Sequence, residues 1–194
     1  GNGWTYKRDQ KVRLWCRDQG IFWYELAQHG VQRRSVSRNG WARAWDKQMA
    51  EPLCTPPNLT PVTATDLGAI PTEKELSLAP DSCPERQSGG RVLAWRTLQG
   101  FLTERGEHYR RDMSNPLRGA TSCSRISPYL AWGCLSMREI SHVVKDRRQT
   151  LRREGIKGGW TGALSSFNGR LHWHCHFIQK LEDDPRLEFE NLHK

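Results

Sequence analysis

The chain of 194 residues has six cysteines but no CxxC pair, and this spacing argues against a structural zinc site. Scattered cysteines also argue against a disulfide framework and fit reduced thiols. The sequence has no signal peptide and no apolar run long enough to span a bilayer. We therefore expect a cytoplasmic protein, monomeric and without a membrane-spanning segment.

Familiar catalytic signatures are missing as well. The sequence contains no Walker motif, no Gly-rich dinucleotide fingerprint and no serine with a local base, so no catalytic residue is assigned. His172 and His176 lie at i and i+4, which would place them on one side of a helix. No third ligand accompanies them in the pattern, and we predict no metal site.

Positive charge and tryptophan are present in excess. The formal net charge is +9, and the chain contains nine tryptophans. A basic protein favours an acidic partner, with nucleic acid as the first candidate, although basic charge can also serve solubility alone. Tryptophan can belong to a core, a base-stacking surface or an electron relay, and the sequence leaves these alternatives open.

The first 50 residues predict two helices and a strand. The first helix is predicted over 5–18, with Thr5 as its cap and Gly20 as its end. Aromatic and β-branched residues predict a strand over 21–26. A short helix then carries an apolar stripe, and its predicted cap is Asn39 or Ser37. The stripe consists of Trp41, Trp45 and Met49.

The remainder divides into a linker and a helical region. Seven prolines between residues 51 and 89 indicate an extended linker. Helices are predicted over 90–106, with Arg105 directed toward water, and over 163–183. Between them, Ser136 and Glu139 form a capping box that begins a helix through roughly residue 153. Residues 186–194 predict the beginning of a further helix.

Residues 122–128, which we call the serine loop, combine small hydroxyl and thiol side chains with one arginine. Backbone N–H groups and a following helix suit a phosphate, because a helix N-terminus carries unpaired N–H groups and partial positive charge. The alternative is an ordinary serine-rich helix cap. The phosphate interpretation requires a concave space beside the loop and the last helix.

Several segments resemble the photolyase and cryptochrome family. SRISPYLAWGCLSMRE resembles its SxLSPYLxxGxxSxRE signature, and GGRVLAWRTLQGFLTERGEHYRRDMSNP resembles the helix and loop that precede it. The opening GNGWTYKRDQKVRLWCRDQGIFWYELAQHGVQR resembles the end of the family's α/β domain. SSFNGRLHWHCHFIQKLEDDP resembles the helix that lines flavin and DNA.

This resemblance implies a mainly α fold. Residues 90–194 would be the first part of the helical photolyase-type FAD-binding domain, and 51–89 its interdomain linker. Residues 1–50 would be the C-terminal part of the α/β domain, left as a helix and a strand. The chain would then be a fragment, well under half of a full member.

The resemblance also implies roles for individual residues. Tyr109 would lie near the FAD phosphates or ribityl, Phe167 would lie beside the flavin, and His174 would contact flavin and DNA. Arg170 and Trp173 would meet a flipped pyrimidine dimer. The FAD diphosphate would be wrapped by the signature loop, which here is Cys123, Ser124, Arg125, Ile126 and Ser127.

Three positions depart from the family pattern. Cys123 replaces a usual threonine, Arg170 stands where repair enzymes often have a glutamate, and His174 stands where an arginine is common. The intact protein would repair pyrimidine dimers in DNA by electron transfer from light-excited, reduced FAD. The alternatives are a cryptochrome-type photoreceptor without repair activity and a flavin-free basic DNA-binding module. Residues 1–194 alone are expected to bind FAD weakly and to be inactive.

Overall fold

The protein is built from helices and irregular chain. Its computed structural model describes residues 3–26, 29–33, 37–60, 68–80 and 82–191. These residues include no strand. None of the helices in the same ranges has the length and apolar character needed to cross a membrane. The prediction of a mainly α fold is confirmed for this part of the chain.

The predicted strand over 21–26 is wrong, because these residues follow an irregular path. A strand is stabilised by pairing with a neighbour, and the described residues provide no second strand. The side chains are correspondingly uncovered: Phe22 is 85% and Tyr24 is 70% exposed. The assignment of residues 1–50 to an α/β domain stays a prediction.

Among the described residues before the linker there are two helices, α1 at Gly3–Asp18 and α2 at Trp41–Ala50. The end of α1 is confirmed, since Gly20 has the left-handed φ of 66° typical of a helix C-terminus. The caps are wrong, because Thr5 lies inside α1 and α2 follows Gly40 without a side-chain cap. The α2 stripe is confirmed, and its three predicted members are buried: Trp41, Trp45 and Met49.

In residues 90–183, six α-helices and one π-helix follow a linker whose described parts contain no helix or strand. The predicted helix over 90–106 is confirmed, with its last turn widened to a π-helix. The capping box is also confirmed: the Ser136 hydroxyl accepts from the Glu139 N–H at 3.1 Å, and the Glu139 carboxylate accepts from the Ser136 N–H at 2.7 Å. The elements are α3 Arg91–Gly100, the π-helix Phe101–Arg105, α4 Tyr109–Asp112, α5 Gly119–Ser122, α6 Ser127–Ala131, α7 Met137–Arg153 and α8 Trp160–Asp183.

The end of the described chain is less helical than predicted. Only a single 3-10 turn, Pro185–Glu188, follows α8. Residues 189–191 contain no further helix. The remainder of the predicted helix, 192–194, lies outside the described residues.

Helix α8 lies against α2, α4 and α7 and buries one face in the core. Its predicted apolar stripe is confirmed as far as Cys175, since Leu164, Phe167, Leu171 and Cys175 are buried. Beyond Cys175 the buried side chain of α8 is Gln179, which is 1% exposed.

A buried glutamine joins the end of α8 to the N-terminal part. The Gln179 side chain accepts from the backbone N–H of Gln32 at 2.7 Å and donates to the carbonyl of Gln32 at 2.9 Å. It also donates to Asp183 at 2.6 Å. Because buried polar groups are costly when unpaired, this paired arrangement stabilises the contact.

We predict that Gln179→Ala lowers the free energy of unfolding by about 2 kcal/mol, because it leaves both backbone groups of Gln32 without partners. Chemical denaturation followed by circular dichroism measures the change. The control Gln149→Ala removes an exposed side chain of α7 and should alter stability by less than about 0.5 kcal/mol. Equal losses in the two variants would contradict the assignment.

Candidate phosphate-binding site

Arg105 holds the serine loop through the loop's backbone carbonyls. Its guanidinium group donates to the carbonyl of Ser124 at 2.8 Å and also to the carbonyl of Cys123. The same group reaches Thr121 at 3.3 Å and Thr97, in α3, at 3.0 Å. These bonds turn successive loop carbonyls toward α3 and the π-helix.

The prediction that Arg105 faces water is wrong, since the side chain is partly buried. Leu98, Phe101 and Leu102 precede Arg105 by seven, four and three residues, and all three are buried. Residues at these spacings share one helix face, so the sequence did indicate that Arg105 lies on the buried face. Burial and the positive charge of Arg125 lower the pKa of Arg105.

The serine loop has a backbone conformation suited to anions. Arg125 has a left-handed φ of 60°, and Ile126 follows in the right-handed helical region at φ −95°. Adjacent residues of opposite hand direct successive N–H groups into one concavity, a geometry that binds anions. Ile126 is 2% exposed, so its side chain fixes the turn to the core.

Most backbone amide groups of the serine loop lie free of acceptors in the part of the chain that the structure describes. Among the described residues, no hydrogen bond is formed by the N–H groups of residues 124–127. The carbonyl of Arg125, by contrast, accepts from the Gln87 side chain at 2.9 Å. Since the carbonyls are bonded to Arg105 and Gln87, the loop offers donors without competing acceptors.

The serine side chains do not cap α6. Ile126 holds the N-cap position of this five-residue helix and makes no side-chain cap bond, so the alternative of a serine cap is wrong here. The Ser122 hydroxyl donates to Asp112 at 3.2 Å, beside Arg111. The hydrogen bond from Arg111 lowers the pKa of Asp112 to about 2.

Two predicted cofactor residues lie in an aromatic cluster of the core. Ring centroids are 5.4 Å apart for Tyr109 and Phe101, 5.9 Å for Tyr109 and Phe167, and 4.7 Å for Phe101 and Phe167. Tyr109 is 7% and Phe167 is 2% exposed. Burial raises the pKa of Tyr109, with a further increase from Cys123, while Arg170 opposes it. The structure thus brings Tyr109, Phe167, Cys123 and Arg170 together.

Two predicted DNA-binding residues form a surface pair on α8. The Arg170 guanidinium lies 4.2 Å from the ring centroid of Trp173, which is 52% exposed. Phe177 packs edge-on to Trp173 at 6.0 Å, and Lys180 lies 5.8 Å from the Phe177 ring. Alternating cations and exposed rings suit nucleic acid, because phosphates pair with the cations and bases stack on the rings.

His174 lies apart from that pair, against the N-terminal segment. Its ring meets His29 edge-on with centroids 5.2 Å apart. Burial lowers the pKa of both residues, and with the added charge of His174 the pKa of His29 falls to about 4. Here His174 is a packing residue, and its contact with flavin or DNA stays a prediction.

The other α8 histidines also pack against α2. His172 lies over Trp45 at 3.7 Å between centroids and bonds Asp46 at 2.9 Å. His176 meets Trp41 edge-on at 5.8 Å. Within the described ranges, no three His, Cys, Asp or Glu side chains form a group that could hold a metal ion.

A groove of about 550 Å³ adjoins the serine loop on the side of the linker. Arg125 and Pro128 line one wall, and Arg86 and Gln87 line the other. The Tyr129 hydroxyl donates to the carbonyl of Ser88 at 3.0 Å and so joins α6 to the linker. The sequence analysis expected a concave space between the serine loop and α8. It did not predict that the linker would line a groove beside the loop.

We expect His29 to make the protein less stable in acid. Unfolded His29 binds a proton near pH 6.5 but folded His29 only near pH 4, so protonation favours the unfolded state as pH falls. The contribution of neutral His29 to the free energy of unfolding is complete above about pH 6.5 and is lost toward about pH 4. In thermal unfolding across this range, His29→Gln should flatten the pH dependence, whereas His108→Gln, at an exposed site, should keep it. An unchanged slope in His29→Gln would contradict this.

Comparison with known proteins finds a similarity over about half of the chain. Over 101 residues the chain is 33% identical to cryptochrome DASH from Natronomonas pharaonis. The match covers 49% of this chain and 20% of that protein, so the chain spans about one fifth of its relative's length. No protein-family model and no solved structure matches the chain. The similarity supports a photolyase- or cryptochrome-like protein and does not distinguish repair from photoreception.

Proposed function

We propose that the serine loop binds the pyrophosphate of FAD in a photolyase/cryptochrome-like flavoprotein to which this chain contributes. The observation that carries the proposal is the set of amides at residues 124–127, which donate to no acceptor among the described residues while Arg105 holds the neighbouring carbonyls. Positive charge from Arg125 adds to the attraction for an anion. The similarity to a DASH cryptochrome supports the same family.

The residues present fit the phosphate end of FAD better than its ring. Phe167 and Tyr109 are buried against each other and leave little surface for an isoalloxazine. The remainder of the flavin pocket would come from the intact protein, and residues 1–194 alone should hold FAD weakly. Bound FAD would supply the light-driven electron transfer, while this chain's amides position its phosphates.

In the intact protein, we propose light-driven repair of pyrimidine dimers in DNA. The basic and aromatic surface formed by Arg170 and Trp173 would receive the DNA backbone and an extruded base. The second candidate is a blue-light photoreceptor without repair activity. It is favoured by Arg170, which stands where repair enzymes often have a glutamate.

Replacing Arg105 by Gln should weaken binding of inorganic pyrophosphate to residues 1–194 at least tenfold, because the loop carbonyls are released and compete with the amides. Isothermal titration calorimetry at low salt measures the dissociation constants. Arg96→Gln is the matched control: it removes one positive charge from an exposed position of α3. Equal weakening in the two variants, with both still folded, would attribute the effect to charge alone and contradict the role of Arg105.

The intact protein should carry a flavin absorption band and, under blue light, remove pyrimidine dimers from damaged DNA, duplex or single-stranded. Dimer content before and after illumination, with a dark control, measures repair. A flavin band without dimer loss would favour the photoreceptor. Absence of the band in protein reconstituted with excess FAD would contradict both flavin functions and favour a basic DNA-binding module.

A further inference from the structure

Each N–H group of the serine loop shares a peptide plane with the carbonyl of the preceding residue. In a trans peptide these two groups point in opposite directions, so a partner that holds the carbonyl also fixes the direction of the N–H group. Arg105 holds the carbonyls of Cys123 and Ser124 and therefore orients the N–H group of the residue after each. The Ile126 carbonyl accepts from the Leu130 N–H at 3.0 Å, which orients the N–H group that follows Ile126.

The N–H group of Ile126 itself is oriented from the linker. The Gln87 side-chain amide donates to the carbonyl of Arg125 at 2.9 Å, and this carbonyl shares its peptide plane with the Ile126 N–H group. Arg125 has a φ of 60°, a conformation that is unfavourable for a residue with a side chain. The bond from Gln87 therefore stabilises the turn and also directs one of the loop's donors.

Residues 87–90, which we call the strap, connect this contact to α3. The Tyr129 hydroxyl donates to the carbonyl of Ser88 at 3.0 Å and fastens the strap a second time. Gly90 has a φ of 104°, which residues with side chains rarely adopt. A Cβ added at Gly89 or Gly90 would meet no atom within 4 Å, so neither residue is packed in place. The strap can turn about these glycines when its hydrogen bonds open.

We infer that Gln87 is a positioning residue for the serine loop and that docking of the strap raises the loop's affinity for a diphosphate. This inference rests on the proposed function and adds a means of regulating it. With the strap docked, the Ile126 N–H group is held beside its neighbours as a donor. With the strap released, the Arg125 carbonyl is free to turn, and the direction of that donor is lost. Because coupling is reciprocal, a bound diphosphate stabilises the docked strap by the same factor.

Backbone amide resonances of this chain at saturating inorganic pyrophosphate test the assignment residue by residue. Gln87→Met keeps the length of the side chain and removes the donor. In this variant the Ile126 amide should lose most of its pyrophosphate-induced shift, while the amides of Ser124 and Arg125 keep theirs. The dissociation constant should rise about fivefold, the usual effect of one hydrogen bond. Arg105→Gln should show the reverse pattern, with the loss at residues 124 and 125.

Two further variants separate the strap from general effects of substitution. Gln99→Met makes the same chemical change at an exposed position of α3 and should leave the affinity and the shifts unchanged. Tyr129→Phe removes the second fastening of the strap and should weaken pyrophosphate binding in the same direction as Gln87→Met. Equal affinity in Tyr129→Phe and the unsubstituted protein would overturn regulation by docking.

The outcomes distinguish this inference from the proposed function. A loss spread evenly over the loop amides in Gln87→Met, or an unchanged shift at Ile126, overturns the inference and leaves pyrophosphate binding by the loop in place. If the loop amides of the unsubstituted protein do not respond to pyrophosphate, the proposed function is wrong, and the inference is wrong with it.

Discussion

The hydrogen bonds from Arg105 to the serine loop are the interaction on which the candidate site depends. A loop that binds an anion must present its N–H groups and turn its carbonyls away, yet both belong to the same backbone. Arg105 resolves this by donating hydrogen bonds to the carbonyls of Cys123 and Ser124. Gln87 does the same for Arg125, so the linker takes part in shaping the loop.

Helix α8 connects this site to the rest of the chain through its different faces. Phe167 joins the aromatic cluster behind the serine loop, whereas Trp173 and Arg170 stack on the surface. His172 and His176 pack against α2. One helix thereby joins the proposed phosphate site, the candidate DNA surface and the N-terminal segment.

Local patterns in the sequence predicted most of the helices. The capping box at Ser136 and the stripe through Trp41 are short-range features, and both are confirmed. The strand over 21–26 failed because pairing depends on a neighbour that composition does not reveal. Gln179 was missed because its partner, Gln32, lies 147 residues away in sequence.

The candidate site was only partly predictable. Residue types identified the serine loop as a possible anion site, but not the left-handed turn at Arg125. Helical spacing indicated that Arg105 lies on the buried helix face, since it follows the buried Phe101 by four residues. The contact from Gln87 could not be predicted, because it joins the irregular linker to a loop 38 residues further along.

The most direct measurement is a titration of isotope-labelled residues 1–194 with inorganic pyrophosphate, followed through backbone amide resonances. If the serine loop binds the anion, the amides of residues 124–127 should show the largest shifts and saturate together with a single affinity. Shifts concentrated at other basic residues, such as Arg110 and Arg111, with no change in the loop amides, would contradict the account.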